Sequence, residues 1–280
     1  MRHLISRFIL PVLIIVFLTN CSKDSTSSNG ITEFDVLVLS NYPEAMAWID
    51  SAYTANMTNI NITTMDIDND TASVAFMRDF HVVLLFEDGL VDNAPMVGDS
   101  LYQFVMSGGN LLLSTFYWQD RSDGGYGGSW GDLEMIDPLY GGSCRYEMDT
   151  LGTTMTHTMT SDIDSLQTYY RGGPTTLRAG ATSLATWSNG DILIAYNKPA
   201  GTITAVTTYP AEPFLQISQS NLDVRGDYFK LWENTIKWTG SQKPVSKPNA
   251  VISGKNRMTD KNRVNAKKTD KKSGSKFRIQ

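Results

Sequence analysis

The chain has 280 residues, 41% hydrophobic and 19% charged, and a formal net charge of −5. That composition excludes a wholly disordered or collagen-like chain, and two cysteines exclude a disulfide-built scaffold. The charge is unevenly placed: residues 241–280 carry a net +10 and residues 1–240 a net −15.

Arg2 and Arg7 place positive charge in front of Phe8–Leu18, a run of eleven apolar residues. As a helix this run would rise ~17 Å, short of the ~30 Å of a hydrocarbon core, so it reads as the apolar part of a secretory signal. Leu18-Thr19-Asn20-Cys21 resembles a bacterial lipobox, with Asn20 where a small residue is usual. The resemblance implies a signal over residues 1–20 and acylation of Cys21. More than one acyl chain gives stable attachment to a membrane, where a single chain gives only marginal binding. The expected location is the bacterial cell envelope, lipid-anchored, with the outer membrane as first choice. Residues 21–33 are polar and Ser-rich and read as a flexible tether. Once Cys21 is lipidated, Cys144 has no intrachain partner.

Phe34–Ser40 is apolar and rich in Val and Leu, as a strand buried on both faces requires. Pro43 then opens a helix whose Ala45, Trp48, Ile49, Ala52 and Tyr53 share a face. Asn59–Ile67 alternates and is β-branched. Asp70 or Thr71 is placed to cap a short helix that turns Val74, Met77 and Phe80 inward. Val82–Phe86 is a second apolar strand, Asp92 starts a helix with Val97, Leu101, Phe104 and Val105 on one stripe, and Gly108-Gly109 ends it. Leu111–Phe116 is a third apolar strand. This alternation predicts an α/β fold with a doubly wound, mainly parallel sheet, a flavodoxin-like three-layer sandwich. Shorter strands follow at Leu151–His157, Ala181–Trp187, Ile192–Asn197 and Thr202–Tyr209, with a hairpin across Asn189-Gly190, both with φ > 0. A helix over Asp227–Trp238 closes the domain, which is expected to span 34–240. The basic stretch 241–280 is too poor in apolar residues to bury a core and is expected to be disordered. Its expected partners are anionic envelope components; nucleic acid is not expected.

The series Phe80–Leu85, Phe104–Leu113, Thr156-His157-Thr158-Met159, Gly180–Gly190 and Leu231–Trp238 resembles the class I glutamine amidotransferase-like superfamily, in its divergent secreted and trehalose-utilisation-like branch. The resemblance implies the flavodoxin-like frame and not the activity. Amidotransferases carry a Cys on a sharp turn after a strand, whereas this chain reads Leu113-Ser114-Thr115-Phe116-Tyr117 there. No catalytic residue, metal ligand or cofactor is assigned, and the expectation leans away from an enzyme.

In a doubly wound sheet ligands bind at the carboxyl ends of the strands. Phe116–Leu133 falls there and combines Tyr117, Trp118, Tyr126 and Trp130 with Asp120, Arg121 and five glycines. Aromatic faces beside acidic acceptors suit a small or glycan-like ligand. Glu87 and Asp88 end the second apolar strand at the same edge. A rival reading is a hydrolase in which His157 works with Glu87 or Asp88; it requires those side chains to share one cavity. A third reading is a structural lipoprotein of the envelope.

Overall fold

A computed structural model describes residues 31–218 and 224–242. The lipobox, most of the tether and nearly all of the basic tail lie outside the described residues.

The first half forms as its apolar runs dictate. Strand β1 (Phe34–Ser40), helix α1 (Pro43–Asn56), strand β2 (Ile60–Asp66), helix α2 (Val74–Met77), strand β3 (Val82–Leu85), helix α3 (Ala94–Met106) and strand β4 (Asn110–Ser114) follow one another. Then come β5 (Leu139–Tyr140), β6 (Cys144–Thr154), β7 (Leu166–Gly172), β8 (Thr176–Leu177), β9 (Thr182–Trp187), β10 (Ile192–Asn197), β11 (Thr202–Val206), α4 (Glu212–Ser218), β12 (Arg225–Gly226) and α5 (Tyr228–Ser241). The main sheet has the order β12-β7-β6-β9-β10-β11-β4-β3-β1-β2. Its half from β2 to β11 is parallel and flavodoxin-like; from β11 through β12 every pairing is antiparallel.

Successive residues on a strand point to opposite faces, and the core divides accordingly. Val36, Val38, Val82 and Leu84 pack with Ile49 and Tyr53 of α1 and Trp232 and Ile236 of α5. Leu37, Leu39, Val83, Leu85, Leu111 and Leu113 face the other way, onto Met77 of α2 and Leu101 and Phe104 of α3. Helix α3 stops in a Schellman turn. Gly108 adopts φ 98° and donates to Val105 O at 2.8 Å, and Gly109 donates to Phe104 O at 2.9 Å.

Several local expectations need correction. Helix α2 is capped not by Asp70 or Thr71 but by Ser73, whose Oγ accepts from Phe76 N at 3.2 Å. Helix α3 has Asn93, not Asp92, at its N-cap and no side-chain cap; Pro95 in the first turn presets its φ instead. The hairpin between β9 and β10 is present, but only Gly190 is left-handed, at φ 91°. Trp187 O accepts from Gly190 N at 3.0 Å, so a tight turn followed by one glycine closes the loop. Strand β6 starts well before Leu151, and β7 and α4 were not anticipated. Polar and charged residues interrupt the apolar ones in all three, so no apolar run marks them.

Leu84 lies in a central strand and is fully buried. Leu84→Ala is expected to lower the unfolding free energy by about 2–5 kcal/mol, read by urea denaturation; a loss below about 1 kcal/mol would contradict the packing described.

Candidate functional site

The loop after β4 folds back beneath the sheet instead of projecting from it. Tyr117, Trp118 and Trp130 are fully buried and belong to the α3-side core. An ionic knot holds them there. Tyr117 Oη donates to Asp137 Oδ2 at 2.8 Å, Arg121 pairs with the same oxygen, and Arg178 Nη2 reaches Asp137 Oδ1 at 3.0 Å. Burial raises the Asp137 carboxyl to about 6, against the opposing pull of Arg121, Tyr117 and Arg178. Arg121 is further engaged by Asp123 at 2.7 Å. The expectation that Tyr117, Trp118, Arg121 and Trp130 face a ligand is therefore corrected. Their rings and guanidinium are interior surface, because an aromatic side chain gains more from full burial than from a rim position. Tyr126 does stand at the surface, 61% exposed.

Asp120, in the same loop, turns the other way. It meets Glu87, the residue that carries β3 past its carboxyl end; Glu87 is fully buried and Asp120 nearly so. Among the described residues, both oxygens of Glu87 and Oδ2 of Asp120 have no partner other than each other's carboxyl. Two carboxylates held in a dry site as two anions would cost several kcal/mol per charge, which favours one proton held between them. Burial, then Asp120, drives Glu87 well above the ordinary carboxylate range, and burial likewise raises Asp120. The contact with Glu87 pulls Asp120 back down, which makes Glu87 the protonated partner.

Other groups converge on this edge. Asn41, just past β1, accepts from Asp88 N at 3.0 Å and donates to Gly89 O at 3.1 Å. That bridge joins the ends of β1 and β3, where the order of parallel strands reverses and α/β sheets place their ligands. Asp88 is exposed at the rim with its carboxyl partly shielded, and that shielding raises it. Cys144 and Tyr146 lie two residues apart on β6 and so share a face. Burial and then the charges of Glu87 and Asp120 push the Cys144 thiol up. Tyr146 Oη donates to Gln119 Oε1 at 3.3 Å. Phe116 sits centrally, its ring 5.9 Å from Tyr146, 5.8 Å from Tyr170 and 5.3 Å from Tyr209. The buried Tyr209 hydroxyl has no hydrogen-bond partner among the described residues and feels the charge of Asp88.

Glu87, Asp88, Asp120 and Tyr126 thus fall at one edge, and His157 does not. Its imidazole packs 5.0 Å from Trp238 and 5.9 Å from Tyr196, and its Nδ1 accepts from Met159 N at 3.1 Å. Trp238 is in the last turns of α5, beside Gly240, whose neighbours are Phe34 and His81 at the starts of β1 and β3. His157 therefore lies toward the amino ends of the parallel strands, and the cavity shared with Glu87 or Asp88 that the hydrolase reading requires is not formed. His81, beside Asp35, is at that far edge too. Among the described residues Cys144 consequently has carboxyls and no imidazole beside it, the reverse of what an attacking thiolate needs. Among the described residues, no three His, Cys, Asp or Glu side chains converge as a metal site. Two hollows, of about 150 Å³ beside Asp68–Ala72 and α3 and about 430 Å³ along β6, β7 and β12, lie away from the carboxyl pair.

No protein-family model matches the chain, and a search of curated proteins found no match. Solved structures are similar. A cytoplasmic protein of Salmonella typhimurium, STM3548, aligns with a TM-score of 0.57 and 16% identity over 73% of this chain and 98% of its own. A second, STM1381 from Salmonella typhimurium LT2, aligns at 0.56 and 15% over 73% and 99%. A thua-like protein from Bacteroides uniformis aligns more loosely, with a TM-score of 0.48 and 12% identity over 74% and 91%. Such identities establish the fold alone. The chain has the flavodoxin-like α/β frame that its resemblance to glutamine amidotransferase-like proteins implies.

The folded state keeps a proton on the Glu87–Asp120 pair that the unfolded chain gives up near the usual carboxylate range. Glu212, raised by burial to about 8, acts in the same sense. Stability is therefore expected to fall as pH rises through neutrality. Urea unfolding at about pH 5.5 and about pH 8 should show the fold more stable at the lower value, with the difference reduced in Glu87→Gln. An equal difference in both proteins would contradict the shared proton.

Proposed function

We propose that this chain is a lipid-anchored protein of the bacterial cell envelope whose amidotransferase-like domain has lost the parent chemistry and binds a small ligand at the carboxyl edge of its sheet. The observation that carries the reading is the buried Glu87–Asp120 pair at the topological switch point, with no imidazole and no activated thiol beside it among the described residues. Buried acceptors of this kind are costly without partners, and such sites concentrate where ligands are held. The exposed rings of Tyr126 and Tyr146 supply the aromatic surface that the buried tryptophans do not. Either a compact metabolite or the end of a glycan fits that rim.

The anchor rests on the lipobox and on the Ser-rich tether behind it. The net +10 of residues 241–280 supports contact of the tail with anionic envelope components, an association that weakens with salt. Attachment is tested directly: Cys21→Ala is expected to move the protein from the membrane to the soluble fraction and to abolish incorporation of labelled fatty acid. Retention of both would contradict the anchor. For the binding site, a metabolite screen by thermal shift on the full chain in detergent is expected to yield compounds that raise the melting temperature of the native protein and not of Asp120→Asn. Stabilisation that survives in Asp120→Asn would move the binding elsewhere.

A further inference from the structure

Glu87, Asp88 and Asp120 put three carboxyls at one edge, and no described Lys, Arg or His is ion-paired with any of them. Five described cations are committed to other carboxyls: Arg121 to Asp123 and Asp137, Arg145 to Asp191, Arg171 to Asp149, Arg178 to Asp137 and Lys237 to Glu233. A fully buried hydroxyl without a partner, Tyr209 Oη, faces the same edge from the end of β11, where it feels Asp88. Around these acceptors stand aromatic rings: Phe86 lies 5.4 Å from Tyr209, Phe116 lies 5.3 Å from it, and Tyr146 lies 5.9 Å from Phe116. Tyr126 and Tyr146 bring that aromatic surface to solvent.

Buried carboxyls partnered only by each other, no counter-cation and a wall of π faces form one chemical pattern. A neutral polyol satisfies the acceptors but leaves the charge uncompensated. An anion is repelled. An organic ammonium ion donates up to three hydrogen bonds, neutralises the site and gains from the ring faces. Resting on the reading of this edge as a small-ligand site, we propose that it binds a primary organic ammonium ion, seated between the carboxyls of Glu87 and Asp120 with its carbon chain against Tyr126 and Tyr146.

Binding has a definite proton balance. In the free protein one proton joins the two carboxyls. The ammonium group replaces it: both carboxyls become carboxylates, one proton leaves for solvent, and no covalent bond forms. The titratable groups that face the pair are Asp88 on its own segment, Cys144 and Tyr146 from β6, and Tyr42 and Tyr209, which face Asp88 from the ends of β1 and β11. None of them is a base that takes up the released proton at neutral pH.

The test is calorimetric titration of the full chain in detergent with n-butylammonium chloride, using 1-butanol as neutral isostere and glucose as uncharged polyol. Each titration is run in two buffers of different ionisation heat. The expected result is binding of n-butylammonium alone, with close to one proton released, and an affinity that tightens by up to about tenfold per pH unit while the pair still holds its proton. Glu87→Gln and Asp120→Asn should each weaken binding by about tenfold or more and abolish the proton release, whereas Cys144→Ser should change neither. Both amide variants keep the side-chain shape, and their melting curves establish that they fold. Equal binding of butanol or glucose, binding without proton release, binding unchanged in both variants, or no binding of n-butylammonium would each overturn the inference. A neutral metabolite that stabilises the native protein and not Asp120→Asn would overturn the cation while leaving the small-ligand site standing.

Discussion

Two carboxyl groups meet away from water only with a proton between them, and the contact of Glu87 with Asp120 places that constraint at the heart of this fold. Glu87 extends β3 and Asp120 belongs to the loop after β4, so the shared proton joins the central strand to the segment that covers its neighbour. The alternative, two buried anions, would cost several kcal/mol per charge. The same pair decides the chemistry of Cys144. A thiolate there would face two acidic neighbours, and the thiol accordingly stays protonated.

The loop itself is held by a different electrostatic device on the other side of the sheet. Asp137 is fully buried but receives Tyr117, Arg121 and Arg178, so its charge is matched, while among the described residues both Glu87 oxygens and Oδ2 of Asp120 are matched only by the facing carboxyl. One carboxylate is thus tied into structure and the other pair is held in reserve. That contrast, more than any motif, separates the residues that build the loop from those that face the carboxyl edge.

The parallel half was legible because strands buried on both faces must be apolar throughout. Phe34–Ser40 and Val82–Phe86 have no other stable placement in a soluble domain. The antiparallel half was only partly legible. Strand β6 is mostly exposed or half-buried and mixes Arg, Glu and Asp with Tyr and Met, and β7 carries Gln, Thr and a buried Arg171, so neither shows a continuous run. In the site, Glu87, Asp88, Asp120 and Tyr126 were marked by their place after strand ends. Trp118 and Trp130 were misassigned because composition tells that a loop is aromatic and not which way its rings turn. Tyr146 and Cys144 escaped attention as a pair because their strand did. The alternation in Cys144–Asp149 was the available signal: it places Cys144 and Tyr146 on one face, toward the edge where Glu87 waits. That His157 belongs to the opposite edge depends on the path of the closing helix, which no local pattern specifies.

The proton between Glu87 and Asp120 is the claim on which the site, the inert thiol and the ligand chemistry all rest. Infrared spectroscopy of protein labelled with ¹³C in its glutamate carboxyls reads it directly. The account predicts one protonated glutamic acid carbonyl band at neutral pH that is absent from Glu87→Gln and that shifts on Asp120→Asn; a fully ionised Glu87 at neutral pH would contradict it.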